Sequence, residues 1–295
     1  MYQDPHELFA GMRLLGEGGQ GRVYCARKKD GVHLALKCIR LGQYDGQEEH
    51  VLAEANALRT MRHSCILKMF RTYRTADEFW ISTEFMDCGS LAGILCRLSR
   101  NGEKLREHIV AYILRQVLRG LAFTHGKGRI HRDVKADNVL MNKNGDVKIG
   151  DFGVCAELTV KGNKRRTVVG TRGFMAPELE RGMPYTAKVD VWSFGVLALE
   201  CAQYDHVHSG RSDCSDENDD ALRDLNNLAV GQVQVPVLKD RRKWSVVMNR
   251  FISACLTVNP AIRPTAAKLL KHDFFLQVRN VASKEELSRI LKHLK

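Results

Sequence analysis

The chain has 295 residues, 44% of them apolar and 27% charged, enough to bury a substantial core as one large domain or two lobes. No basic segment leads into an N-terminal apolar run, and no run approaches the roughly 18 apolar residues of a membrane helix, so neither a signal peptide nor a membrane span is expected. The nine cysteines form no C-x-x-C pair, which argues against a zinc site and a disulfide framework and fits a reducing cytosol or nucleus; the net charge of +12 is dispersed along the chain and reads as solvated faces.

Residues 12–40 alternate and turn like strands, with a glycine-rich connection and a hairpin signal at Asp30-Gly31. The connection "GEGGQGRV" places glycines at 16, 18 and 21 and a valine at 23. Glycines let a backbone approach phosphate oxygens closely. A dinucleotide-binding fold uses the same spacing but needs a helix after the glycines, whereas Val23-Tyr24-Cys25-Ala26 continues as a strand. No G-K-[ST] follows, which removes the P-loop reading. A glycine hairpin lying over phosphates remains.

Lys37 sits in the apolar strand-like run "HLALKCI", which would normally exclude a charge. A helix is predicted next from the spacing of Val51, Leu52, Ala55, Leu58 and Met61, and Glu54 shares its apolar face. Charges in such places need partners, so Lys37 and Glu54 are expected to pair. Strand-like stretches follow around Phe70 and at Phe79–Phe85. The pattern then becomes helical at 105–124 and at 188–204, the second apolar almost all round, and again near 243–256 and 265–272. A β-rich first third joined to a helical remainder predicts two lobes with a cleft between them.

The segment "RIHRDVKADNVLMNKNGDVKIGDFG", residues 129–153, carries the most information. A two-residue turn at Asn144-Gly145 would set Asn138 directly opposite Asp151. An amide oxygen and a carboxylate brought together there would suit Mg²⁺ with phosphate. Asp133 lies just before on an irregular loop, placed to accept a proton from a hydroxyl, with Lys135 nearby for phosphate charge.

The glycine loop, "LALK", "HRDVKADN", "DFG" and "APE" (176–178) stand in the order of the eukaryotic protein kinase superfamily, which the chain resembles over about residues 10–276. The resemblance implies a bilobal α+β fold with a β-rich N-lobe (1–86), a mostly helical C-lobe (87–280) and a short helical tail (281–295). It implies ATP and Mg²⁺ as cofactors. Gly16, Gly18 and Gly21 would cover the phosphates; Leu15, Val23, Ala35 and Leu140 would line the adenine pocket. Lys37, anchored by Glu54, would hold the α/β-phosphates. Asp133 would be the base, and Asn138 and Asp151 the metal ligands. Thr83 matches the gatekeeper, with backbone groups of Glu84 and Met86 on the adenine edge. Leu58, Met69, His131 and Phe152 match a stacked spine. Asp190 would anchor the catalytic loop, and Glu178 would pair with Arg263.

Lys135, and Thr171 in "VGTRGFMAPE", resemble serine/threonine rather than tyrosine kinases, and the wider pattern is most similar to the sterile-twenty group, with NIMA-related kinases next. "TRGF" stands where Thr-Pro-aromatic-aromatic is usual, and an acidic stretch at 213–220 replaces a Pro-rich turn. Thr167 matches the activation-loop phosphorylation site, in preference to Thr159, with Arg132 as the guanidinium a phosphothreonine would engage. Partners would be protein substrates and an upstream activating kinase, unless autophosphorylation serves. No nucleic acid is expected, since no aromatic-rich basic patch is legible. The rival class is a pseudokinase scaffold that binds nucleotide without turnover, whose usual sign, loss of Lys37, Asp133 or a metal ligand, is absent.

Overall fold

The computed structural model describes residues 5–18, 21–41, 55, 59–157, 165–207 and 235–294. A one-turn helix, α1 (Pro5–Leu8), leads into a five-stranded antiparallel sheet. Its strands are β1 (Ala10–Gly18), β2 (Gly21–Arg27), β3 (His33–Arg40), β4 (Met69–Arg74) and β5 (Glu78–Glu84), in the spatial order β1-β2-β3-β5-β4. Alternation along β3 buries Leu34, Leu36 and Cys38 against Phe9, Ala26 and Trp80 on one face. The other face carries Ala35, Lys37 and Ile39. Lys37 therefore sits in an apolar run without entering the apolar cluster. Of the helix predicted from Val51 to Met61, only Ala55, Arg59, Thr60 and Met61 are among the described residues; the first three are helical, Met61 lies just past the helix, and Ala55 and Met61 are buried.

Beyond β5 the described residues are mostly helical. Short strands β6 (Gly89–Ser90), β7 (Arg129–Ile130), β8 (Val139–Met141), β9 (Val147–Ile149) and β10 (Ala156–Glu157) are set among the helices. The helices are α2 (Leu91–Arg100), α3 (Glu107–Gly126), α4 (Pro177–Glu180), α5 (Lys188–Val207), α6 (Val246–Cys255), α7 (Ala266–Leu269) and α8 (Asn280–His293). Ser90, Ser245 and Thr265 cap α2, α6 and α7, each hydroxyl accepting from a backbone N–H in the first turn. Residues 189–201 of α5 are all buried, as an apolar pattern broken only by Asp190, Ser193 and Glu200 predicts. With α3 they form the centre of the core. No helix among the described residues is long and apolar enough to cross a membrane.

The β8–β9 hairpin corrects the predicted register. Val139 pairs with Ile149 and Met141 with Val147, so Asn138 lies opposite Gly150, whose N–H donates to the Asn138 carbonyl (2.8 Å). Asp151 is one residue further on. The turn holds three residues, 143–145, because Asn142 Oδ1 accepts from the N–H groups of Asn144 (3.0 Å) and Asp146 (3.1 Å) while Gly145 turns left-handed at φ 76°. The Asp30-Gly31 hairpin closes the same way, with Lys28 N–H on the Val32 carbonyl and Gly31 at φ 86°. In both, glycine takes the last loop position, so neither X-Gly pair is the whole turn.

Candidate active site

Asp133 lies on the loop between β7 and a 3₁₀ turn at Ala136–Asn138 and is 5% exposed. The loop is held from below by Asp190, a fully buried carboxylate in the first turn of α5. Its two oxygens accept from the N–H groups of His131 and Arg132, both at 2.8 Å, and one also meets His125 Nε2 at 2.7 Å. Burial alone would raise the Asp190 carboxyl. The His125 hydrogen bond, the charges of His125 and His131 and the His131 N–H outweigh it and hold the group below the usual carboxylate range. These bonds keep Arg132 at φ 70°, a left-handed conformation a non-glycine residue rarely holds without such support. From α5, Glu200 also accepts from Ala136 N–H (3.2 Å).

Three predicted residues converge on the Asp133 carboxylate. Thr171 donates to it from its hydroxyl (2.6 Å) and its N–H (3.1 Å). Lys135 Nζ donates to the Thr171 hydroxyl (2.7 Å) and stands 3.4 Å from the carboxylate. Asn138 Nδ2 bonds both the Asp133 carbonyl (2.8 Å) and its carboxylate (2.9 Å). The Asn138 amide oxygen accepts no hydrogen bond among the described residues.

Asp151, at φ 54°, receives Lys37 Nζ at 3.3 Å and Gly153 N–H at 3.4 Å on one carboxylate oxygen. Burial works to raise this carboxyl, and the Lys37 charge leads the effects that bring it below its ordinary value. Glu54, the expected partner of Lys37, lies outside the described residues, as does Leu58 of the expected spine. Of that spine, His131 and Phe152 meet edge to face at 4.7 Å between ring centres. The Asn138 amide oxygen and the second Asp151 oxygen belong to one short hairpin, and hard oxygen donors of this kind fit Mg²⁺ completed by phosphate oxygens.

On the β-sheet side, Val23 pairs with Lys37, Cys25 with Ala35 and Ala35 with Thr83, which brings the expected adenine-lining positions onto adjacent strands. Leu15 is the extra residue of a bulge between Leu14 and Gly16 and is 43% exposed. A Cβ at Gly16 or Gly18 would meet nothing among the described residues, so packing does not require glycine there. At Gly21 it would strike the Cys38 carbonyl oxygen, so that glycine serves β2–β3 contact. Thr83 and Met86 are buried. The Glu84 side chain turns to Lys148 Nζ (2.8 Å) and Lys68 N–H (2.6 Å), leaving only its backbone for a ligand edge. On β8, Leu140 pairs with Ser90 of β6 and Lys148 of β9.

The architecture and this constellation agree with a comparison against known families: residues 9–275 match the protein kinase domain model. The chain belongs to the protein kinase domain family. It is 36% identical over 286 residues to serine/threonine-protein kinase 1 of Arabidopsis thaliana, covering 95% of this chain and 32% of that one. It is 37% identical over 274 residues to serine/threonine-protein kinase pakC of Dictyostelium discoideum (92% and 54%). With serine/threonine-protein kinase STE20 of Eremothecium gossypii the identity is 34% over 276 residues (93% and 27%). These relatives bear out the resemblance to the sterile-twenty group, and the kinase domain spans only part of their length.

Further along this kinase domain, Glu178 on α4 and Arg263 form a bidentate pair at 2.7 and 3.0 Å, with side chains 6% and 0% exposed. Thr167 is exposed, and its carbonyl accepts from the Tyr185 hydroxyl (2.9 Å), which in turn accepts from Arg132 (3.2 Å). Tyr185, His125 and Glu200 were not legible as site residues. Each acts across more than 50 positions of sequence, and none sits in a local pattern that marks it. The tail helix α8 packs on α3: Leu287 and Leu291 are buried, whereas Val281 is 73% exposed.

Proposed function

We propose that this chain is a serine/threonine protein kinase domain that moves the γ-phosphate of ATP to a hydroxyl of a protein substrate. One observation carries the reading above the others: the buried Asp133 carboxylate is held by Thr171 and Asn138 with Lys135 beside it. A carboxylate fixed in this way can accept the proton of an incoming hydroxyl. The hydroxyl oxygen bonds to the γ-phosphorus as the bond to the β–γ bridging oxygen breaks, and ADP carries away that electron pair. Lys135 offsets charge on the transferring group. Lys37, with Glu54 behind it, steadies the α/β-phosphates under the backbone of Gly16, Gly18 and Gly21. Asn138 and Asp151 hold Mg²⁺, which when bound neutralises phosphate charge. Leu15, Val23, Ala35 and Leu140 enclose the adenine, Thr83 closes its inner end, and backbone groups of Glu84 and Met86 meet its edge.

Thr171 between Asp133 and Lys135 supports serine or threonine as acceptor, and the relatives' names agree. Activation proceeds through phosphorylation of Thr167, by an upstream kinase or by a second copy. The exposure of Thr167 and its link through Tyr185 to Arg132 support this. The eight described cysteines are free thiols, which supports a reducing compartment, the cytosol or nucleus. Incubation with radiolabelled Mg·ATP and a generic basic protein, followed by phosphoamino-acid analysis, tests the reading. Phosphoserine or phosphothreonine that disappears in Lys37→Met is expected, with reduced turnover in Thr167→Ala. Nucleotide binding without transfer would make the chain a scaffold, and phosphotyrosine would refute the acceptor.

A further inference from the structure

The charge that is dispersed in the sequence is partly gathered by the fold. Lys28 and Lys29 at the β2–β3 turn, Arg59 and Arg62 ahead of β4, and Lys68 and Arg71 at β4 all line one groove of about 1110 Å³. No acidic side chain among the described residues lines it. Lys148 lines it too, but is paired with Glu84 at 2.8 Å. None of the other six cations has an ion-pair partner among the described residues, and five of them are exposed. The floor is aromatic, with Phe9, Phe70 and Tyr73. Lys28 Nζ and Lys68 Nζ lie 4.6 and 5.5 Å from the Phe70 ring centre, which fixes those two charges in place. β4 is the last strand of its sheet, and its outer edge has no strand partner among the described residues.

We propose that this groove is a docking site for an extended acidic segment of a protein partner, which adds to the free edge of β4 and sets its carboxylates against the six cations. Several unpaired like charges around one concavity favour a polyanion. An open strand edge favours a polypeptide, because only a peptide supplies matching N–H and carbonyl groups. A single-stranded nucleic acid would stack on an open aromatic face, and at Phe70 lysine occupies that position. A membrane surface would need the charges on a flat or convex face rather than around a concavity. None of these residues belongs to the catalytic set, so the groove recruits a partner or substrate without taking part in phosphoryl transfer.

The test uses a fluorescein-labelled peptide of alternating glutamate and valine, its binding followed by anisotropy at about 0.1 M salt, where exposed charges are screened beyond roughly 10 Å. The groove reversal Lys29→Glu/Arg59→Glu/Arg71→Glu is compared with a control reversal of exposed cations elsewhere, Lys239→Glu/Arg241→Glu/Arg242→Glu. Both change the net charge equally. The proposal expects at least a tenfold loss of affinity in the groove variant and less than twofold in the control. Both variants should keep the parent melting temperature and turnover on a short peptide substrate. Proline at alternate positions of the peptide, which removes the N–H groups for strand pairing, should also abolish binding. Equal losses in both variants, or none in either, would overturn the proposal. So would groove-dependent binding of a single-stranded oligonucleotide or of phosphatidylserine vesicles with no binding of the peptide.

Discussion

Replacing Arg263 with alanine should destabilise the kinase domain severely, and the structure gives the size of the effect. The guanidinium makes both bonds to Glu178 and also donates to the carbonyls of Thr257 (2.8 Å), Lys188 (2.9 Å) and Val258 (3.1 Å). It lies 5.2 Å from the Trp192 ring centre and is fully buried. Removing it leaves a carboxylate uncompensated in the interior together with three carbonyls short of a donor. Breaking a buried pair from one side costs about 3–5 kcal/mol. For a 295-residue chain, with an unfolding entropy of about 2.1 cal/mol/K per residue, that corresponds to a fall of roughly 5–8 °C in melting temperature. Arg263→Lys keeps the charge but not the planar fork, so it should fall between the parent and alanine. Glu178→Gln combined with Arg263→Met should be less damaging than the sum of the single losses, since the two residues form one network. Thermal melts of the parent, Arg263→Ala, Arg263→Lys, Glu178→Gln, Arg263→Met and the double variant, read by tryptophan fluorescence, decide the matter. A shift under about 2 °C for Arg263→Ala, or strict additivity in the double variant, would refute the reasoning.

Three further outcomes follow from the same geometry. Gly170 sits at φ 124° with its Cβ position 2.5 Å from the Arg132 carbonyl oxygen, so Gly170→Ala should push Thr171 off Asp133. A displacement near 1 Å predicts a fall in kcat of about 10²-fold, measured by steady-state kinetics, with little change in nucleotide affinity. Gly145→Ala places a methyl 2.5 Å from the Lys284 carbonyl oxygen on α8 at a left-handed backbone position, and should cost about 1–2 kcal/mol and expose the tail helix to limited proteolysis. Asp190 has a carboxyl held low in the folded state, so its contribution to stability is complete above the ordinary value of about 3.9 and is lost as pH falls through the lower folded value. Acid titration monitored by circular dichroism should therefore show a shallower loss of stability below about pH 4 in Asp190→Asn than in the parent.

Much of the fold was legible because two periodicities dominate it. The apolar stripe of α3 and the all-round apolar run of α5 each demand one kind of surroundings, and the structure supplies them. The meeting of Asp133, Lys135 and Asn138 was also within reach, because they share one short motif; Thr171, 38 positions from Asp133, entered only through the family resemblance. The hairpin register was not within reach. It depends on the Asn142 side chain accepting two N–H groups, which adds a third residue to the loop and moves Asp151 out of direct opposition to Asn138. A dipeptide signal does not carry that information. Tyr185 and His125 escaped for another reason: their partners Arg132 and Asp190 lie far away in sequence, and only the packed chain brings them within 3.2 and 2.7 Å. The basic groove is the same kind of result, since pairs of cations at 28–29, 59–62 and 68–71 look unremarkable until the sheet aligns them.

In the proposed reaction Asp133 acts on the hydroxyl while other residues hold the nucleotide. This division of roles is tested most directly by comparing nucleotide affinity and turnover in Asp133→Asn, with phosphoryl transfer followed in a single turnover at saturating Mg·ATP. ATP binding should stay within about threefold of the parent and transfer should slow by about 10²–10⁴-fold, the usual worth of a positioned base. Transfer within tenfold of the parent, at unchanged affinity, would contradict it.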